Sequence, residues 1–180
     1  AVSTSLKWVC GGPGAGIIYA SPERVPDCKP EFRGWYGQEN PFDWNLKTFD
    51  VAEGVRRFLN GTPSYWPYAA ALPGLRWHAE VGVDSIYNHN RAITGQIIEW
   101  VKSNDLELLT PIASEQRGGS VMLLLPESIE PSELVCELKE NNVFADNRSS
   151  ILRLSPGLSS NQLGLNRLFS VMEKSLCCIA

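Results

Sequence analysis

Ser5-Leu6-Lys7-Trp8-Val9-Cys10-Gly11-Gly12-Pro13-Gly14-Ala15-Gly16 sets one lysine directly against a glycine-rich turn, and the reading of this stretch decides the rest. A phosphate loop is the first candidate, and its spacing fails. A dinucleotide fingerprint begun at Gly12 needs glycine at position 17, where Ile17 stands, and one begun at Gly14 needs it at 19, where Tyr19 stands. A Walker loop needs Gly-Lys-Ser/Thr after its first glycine, and nothing here supplies it. Read alone, the glycines make a tight backbone turn. What changes the weighing is Lys7, because a primary amine before such a turn has chemistry of its own.

The 180 residues suit one generous domain or two small ones. Sixteen Lys+Arg against twenty Asp+Glu leave a net charge of −4, which argues against a nucleic-acid surface. Hydrophobic residues at 43% and charged residues at 20% exclude wholesale disorder. The longest apolar runs, Val121–Leu125 and Ala15–Ala20, fall far short of the roughly 20 residues a bilayer crossing needs, so no membrane partner is expected. Five cysteines, an odd number without CxxC spacing or a secretory leader, predict reduced thiols and a cytoplasmic protein. His78 and His89 have no cysteine at zinc-ligand spacing, so no metal is expected, and both read as solvated helix residues. Cys177-Cys178-Ile179-Ala180 fits the C-a-a-X prenylation pattern, though no polybasic stretch precedes it.

Gly16–Ala20 reads as a strand, and Ser21 to Glu53 as an ordered loop whose Trp35, Tyr36, Phe42 and Trp44 call for something to cover them. Val55–Leu59 reads as a short strand. Ser64 to Val81 is helical in composition, with Pro73 expected to kink or divide it. Asp84 is the expected N-cap of a helix whose Ile86, Ile93, Ile97, Trp100 and Val101 recur at helical spacing. Strands are expected at Leu106–Thr110, Ser120–Leu125, Val143–Ala145 and Ile151–Leu154. Helices are expected at Pro131–Asn141 and from Asn161 to Leu176. From Asp84 the order is helix, strand, strand, helix, strand, strand, helix, which predicts an antiparallel sheet with helices on one face.

Five motifs in order resemble pyridoxal-phosphate enzymes of fold type I, in the class V aminotransferase superfamily. The first is the Lys7 segment itself. It is followed by Arg33-Gly34-Trp35-Tyr36-Gly37, then Arg57-Phe58-Leu59-Asn60-Gly61-Thr62-Pro63, then Arg117-Gly118-Gly119. The last is Asp146-Asn147-Arg148 with Ile151-Leu152-Arg153-Leu154-Ser155-Pro156. The similarity covers nearly the whole chain and is greatest to the kynureninase-like and isopenicillin-N-epimerase-like branch. It implies an α/β fold, the C-terminal half of a PLP-dependent transferase. Residues 1–62 would close the large cofactor domain, and 63–180 would form the small α+β domain.

The resemblance implies roles residue by residue. Lys7 matches the lysine that joins the aldehyde of pyridoxal 5'-phosphate, and its neighbours Leu6, Trp8 and Val9 predict an amine partly withdrawn from water. Trp35 and Thr62 match phosphate-binding positions that serve, in part, a neighbouring subunit, which implies at least a homodimer. Arg153 matches the arginine that grips the carboxylate of an amino-acid substrate in bidentate fashion, while Arg148 is expected to pair with Asp146. Departures are equally specific. Leu6 replaces a usual tyrosine, Gln38 a usual histidine, and Pro73 interrupts a usually unbroken helix. Only six residues precede Lys7, so the family's pyridine-pairing aspartate and main phosphate turn are not found. The expectation is a PLP-dependent hydrolase, lyase or epimerase that is incompetent without an N-terminal half or companion chain. The opposing expectation is a non-catalytic fragment or pseudo-enzyme that keeps the fold for assembly or regulation.

Overall fold

A computed structural model describes residues 1–45 and 47–177 of the chain. They form two compact units, Ala1–Glu80 and Val81–Ala180. The last three residues of the C-a-a-X pattern lie outside the described residues. We propose that residues 1–62 close the large cofactor domain and that 63–180 form the small one.

In the second unit the predicted order of elements is observed: α2 (Val83–Ser103), β3 (Glu107–Leu108), β4 (Val121–Leu124), α3 (Pro131–Glu140), β5 (Asp146–Arg148), β6 (Ile151–Leu154) and α4 (Gln162–Cys177). The four strands form one antiparallel sheet in the order β3-β4-β6-β5. Period-two alternation sends Val121, Leu123, Leu152 and Leu154 into the core, while Met122 stays 41% exposed on the other face. Helical spacing does the same for Ile93, Ile97 and Val101 of α2, Leu134 and Leu138 of α3, and Leu165, Leu168 and Val171 of α4. Each such side chain contributes about 1.5–3 kcal/mol by leaving water. The Trp100 ring lies parallel to that of Phe169, 5.2 Å between centroids, and extends this layer at its rim.

In the first unit, β1 (Val2–Thr4) and β2 (Gly16–Ile18) pair antiparallel and carry the lysine-glycine stretch between them. Helix α1 (Tyr65–Val81) closes on that stretch. A Cβ on Gly11 would stand 2.7 Å from Ala71 Cβ, and one on Gly74 would stand 2.1 Å from the Val9 carbonyl oxygen. Small residues at 11, 71 and 74 therefore let helix and loop touch backbone to backbone.

Five expectations are corrected. Pro73 does not divide its helix: α1 runs from Tyr65 through Val81, because Ala71 and Gly74 hold the turns around Pro73 against the loop. The break falls at Gly82, whose φ of 85° suits glycine, and Gly82 rather than Asp84 is the N-cap residue of α2. Val55–Leu59 is no strand. Gly54–Phe58 forms a 3-10 turn, because Gly54 has φ 60° and Arg57 Nε donates back to the Gly54 carbonyl at 3.1 Å. The strand expected at Val143–Ala145 lies instead at Asp146–Arg148, where antiparallel pairing with β6 fixes it: Asp146 opposite Arg153 and Arg148 opposite Ile151. The two histidines are half-buried rather than solvated, and His78 Nδ1 lies 2.8 Å from the Gly74 carbonyl oxygen.

Candidate functional site

Lys7 stands on the loop between β1 and β2, which is held from inside by one serine. Ser5 is fully buried, its hydroxyl donates to the Gly12 carbonyl at 3.0 Å, and its backbone N–H donates to Ala15 at 3.1 Å. The Gly11 N–H returns to the Ser5 carbonyl at 2.8 Å, and the Cys10 N–H to the Lys7 carbonyl at 3.0 Å. Cys10 (φ 55°), Gly12 (φ 73°) and Gly14 (φ 98°) take the left-handed region that so sharp a reversal needs. The turn presents Lys7 exposed at its head. The expected apolar enclosure of the amine is not found: Leu6 is 43% and Trp8 47% exposed.

The segments that carry Trp35 and Thr62 meet through a second backbone contact, between Gly34 and Asn60. The turn at Trp35–Gly37 lies against residues 57–61, so closely that a Cβ on Gly34 would overlap the Asn60 carbonyl oxygen at 1.6 Å. The Trp35 indole nitrogen is 4.0 Å from where a Gly61 Cβ would stand, one residue before the exposed Thr62. Aromatic neighbours support the indole, with Tyr36 edge-on at 4.6 Å and Trp44 stacked at 6.4 Å between centroids. Arg57 ties the segment down: its Nη1 donates to the Val25 carbonyl at 2.7 Å and the Cys28 carbonyl at 3.1 Å.

Arg153 belongs to the second unit, on β6, half-buried on the sheet face away from the helices. Its Nε donates to Asp146 Oδ1 at 2.8 Å and its Nη2 to Asp146 Oδ2 at 2.5 Å. The hydrogen bond to Asp146, and then the carboxylate charge, hold the guanidinium pKa above its ordinary value. Arg148 stands farther off, 3.8 Å from the same oxygen, so the expected Asp146–Arg148 pair exists but is secondary. Ser120 and Ser155 share a hydrogen bond of 2.8 Å on the same face.

Asn90 and Arg91 were not singled out by sequence reasoning, and both hold loops of the motifs in place. Asn90 Nδ2 donates to the Gly119 and Pro156 carbonyls, both at 3.0 Å, and so joins the ends of two motifs. Arg91 donates to the carbonyls of Arg117 at 2.8 Å and Gly118 at 3.2 Å, with its guanidinium 4.7 Å above the Tyr87 ring. The signal was indirect, since a glycine-rich loop leaves carbonyls that need donors. Glu115, in the same loop, has its pKa lowered by its own backbone N–H and then by the Ser114 hydroxyl. Among the described residues no three His, Cys, Asp or Glu groups stand together to hold a metal, and no helix is long and apolar enough to cross a membrane.

No protein-family profile matches the chain. Individual relatives do. A kynureninase from Deinococcus radiodurans is 27% identical over 159 residues, covering 85% of this chain and 38% of its own length. An isopenicillin N epimerase from Streptomyces clavuligerus is 25% identical over 178 residues, covering 93% and 44%. Among solved structures, the apo cysteine desulfurase of Thermococcus onnurineus superposes with a TM-score of 0.78 at 18% identity, over 96% of this chain and 46% of that one. The chain has part of a class V aminotransferase-like fold. A cystine C-S lyase in complex with cysteine persulfide has the same fold, with a TM-score of 0.73 at 20% identity, over 93% and 44%. The chain spans between 32% and 46% of the length of the curated relatives it matches. That class V aminotransferase-like fold is a pyridoxal-phosphate-dependent transferase architecture, as the five motifs imply.

Proposed function

We propose that this chain is part of a pyridoxal-phosphate-dependent enzyme acting on an α-amino acid, with a kynureninase-type hydrolysis as the leading reaction. The observation that carries the reading is Lys7, exposed at the head of a turn that Ser5 and three left-handed residues make rigid. Relatives named kynureninase support the reaction class.

The donor set present suits the cofactor. Lys7 offers a primary amine for its aldehyde, and the Trp35 indole N–H and the exposed Thr62 hydroxyl offer donors for its phosphate. When bound, the cofactor supplies an electron sink for charge developing at the substrate Cα. Lys7 then moves a proton at that carbon, and Arg153 orients the substrate by its carboxylate. We further propose the homodimer, the cytoplasmic setting and an N-terminal half or companion chain as the context in which this set works.

The reaction is tested by offering the complete protein, loaded with pyridoxal phosphate, a panel of substrates. Kynurenine, a chiral α-amino acid and a β-thiol amino acid would be followed by chromatography, chirality and sulfide release. Consumption of kynurenine with release of alanine is expected. Racemisation or sulfide release without it would move the chain to the epimerase or lyase branch. No change in any arm, with no cofactor retained, would restore the non-catalytic reading.

A further inference from the structure

We propose that Asp146 is a positioning residue that sets the guanidinium of Arg153 edge-on, so that its outer end is presented to a substrate carboxylate. This rests on the reading of Arg153 given above and adds the device that aims it. A guanidinium offers two edges to a carboxylate, the side edge of Nε with one Nη, and the end edge of both Nη nitrogens. Asp146 takes the side edge, with Nε to Oδ1 at 2.8 Å and Nη2 to Oδ2 at 2.5 Å. Nη1 makes no hydrogen bond among the described residues, so the end edge is left for a second carboxylate.

The aim is built into the sheet. Asp146 on the edge strand β5 lies directly opposite Arg153 on β6, and Met122 on β4 lies directly opposite on the other side. Arg153 is therefore held in its row by a cross-strand partner, not by its own flexible stem. Both side chains remain partly exposed, 43% for Arg153 and 39% for Asp146. An exposed pair of this kind adds little to stability. A side chain fixed before the ligand arrives loses less freedom on binding, which is where the pair has its effect.

The test compares amino acids with the amines that lack only the carboxylate, using the complete protein loaded with pyridoxal phosphate. Dissociation constants come from titration of the cofactor's visible band and from calorimetry. Asp146→Asn is expected to weaken amino acids about tenfold, to leave amines within twofold, and to leave the melting temperature within a degree or two. Asp146→Glu, which keeps the charge on a longer arm, is expected to recover part of the loss. In an Arg153→Ala background Asp146→Asn is expected to cost nothing further.

An Asp146→Asn protein that loses amino acids and amines alike, or neither, overturns the positioning role. If Arg153→Ala nevertheless abolishes the preference for amino acids, the underlying assignment of Arg153 stands without it. If neither substitution alters that preference, the assignment of Arg153 itself fails.

Discussion

At the scale of single residues, Arg153 carries the sharpest expectation. Lysine at this position keeps the charge but cannot hold Asp146 by one edge and a substrate by the other. Losing charge-assisted contacts typically costs about 1.5–3 kcal/mol, or roughly ten- to a hundredfold in affinity. Arg153→Lys is thus expected to weaken amino acids by that factor in the complete protein while its thermal melt stays nearly unchanged. A large fall in melting temperature with unaltered titration would make Arg153 a structural residue. Its elevated pKa means that the charge, and any stability from the pair, is fully present below the ordinary arginine range and is lost only as pH rises through the raised value. The affinity should therefore show no step from Arg153 between pH 6 and about 9, which a pH series of the same titration checks. The strand that carries Arg153 was legible from its alternation. The partner of Arg153 was not, because Asp146 meets it only through a strand register that no local pattern specifies, and the sequence places Asp146 beside Arg148 instead.

At the scale of elements, two packed surfaces can be separated by substitution. Leu152 is fully buried in the sheet's helix-covered face, so Leu152→Ala should cost about 2–5 kcal/mol. Met122 neighbours it on β4 but is 41% exposed, and Met122→Ala should cost under about 1 kcal/mol. Denaturant melts of the two variants check the alternation, and equal losses would contradict it. Gly74 is the second case. A Cβ there would press on the Val9 carbonyl oxygen, so Gly74→Val should destabilise the first unit by about 1–3 kcal/mol and reduce cofactor capture at Lys7. The three helices and the strands β3, β4 and β6 of residues 84–177 were legible because each carries its own period and a partner face of the same kind, whereas β5 is placed by its pairing with β6 and not by any apolar pattern of its own. The turn at 54–58 was not, since Val55-Arg56-Arg57-Phe58 looks strand-like until Arg57 is seen to bond with Gly54, Val25 and Cys28. The unbroken α1 was missed for a similar reason, as the contact that outweighs Pro73 comes from a loop sixty residues earlier.

At the scale of the whole molecule, the two units differ in what they bury. The core cluster of large apolar residues lies within 93–172, whereas among the described residues of the first unit the buried apolar ones are Ala15, Val25, Ala52 and Ala71. The first unit meanwhile exposes Tyr19, Phe32, Phe42, Trp44, Tyr65 and Trp66, each by more than 60%. These aromatics are the surface that the proposed N-terminal half or second subunit would cover. An excised polypeptide of residues 81–180 is expected to melt cooperatively, and one of residues 1–80 is not. Calorimetry on the two pieces checks this, and a cooperative transition from residues 1–80 would contradict it.

Lys7 is the residue to which we propose the cofactor is joined. The most direct measurement is borohydride reduction of the complete protein in the presence of pyridoxal phosphate, followed by peptide mass mapping. The pyridoxyl mass is predicted on the peptide holding Lys7, and it is predicted to be lost in Lys7→Ala. The same mass on Lys29, Lys47 or Lys102 in place of Lys7, or no stable label on the wild-type protein, would contradict the account.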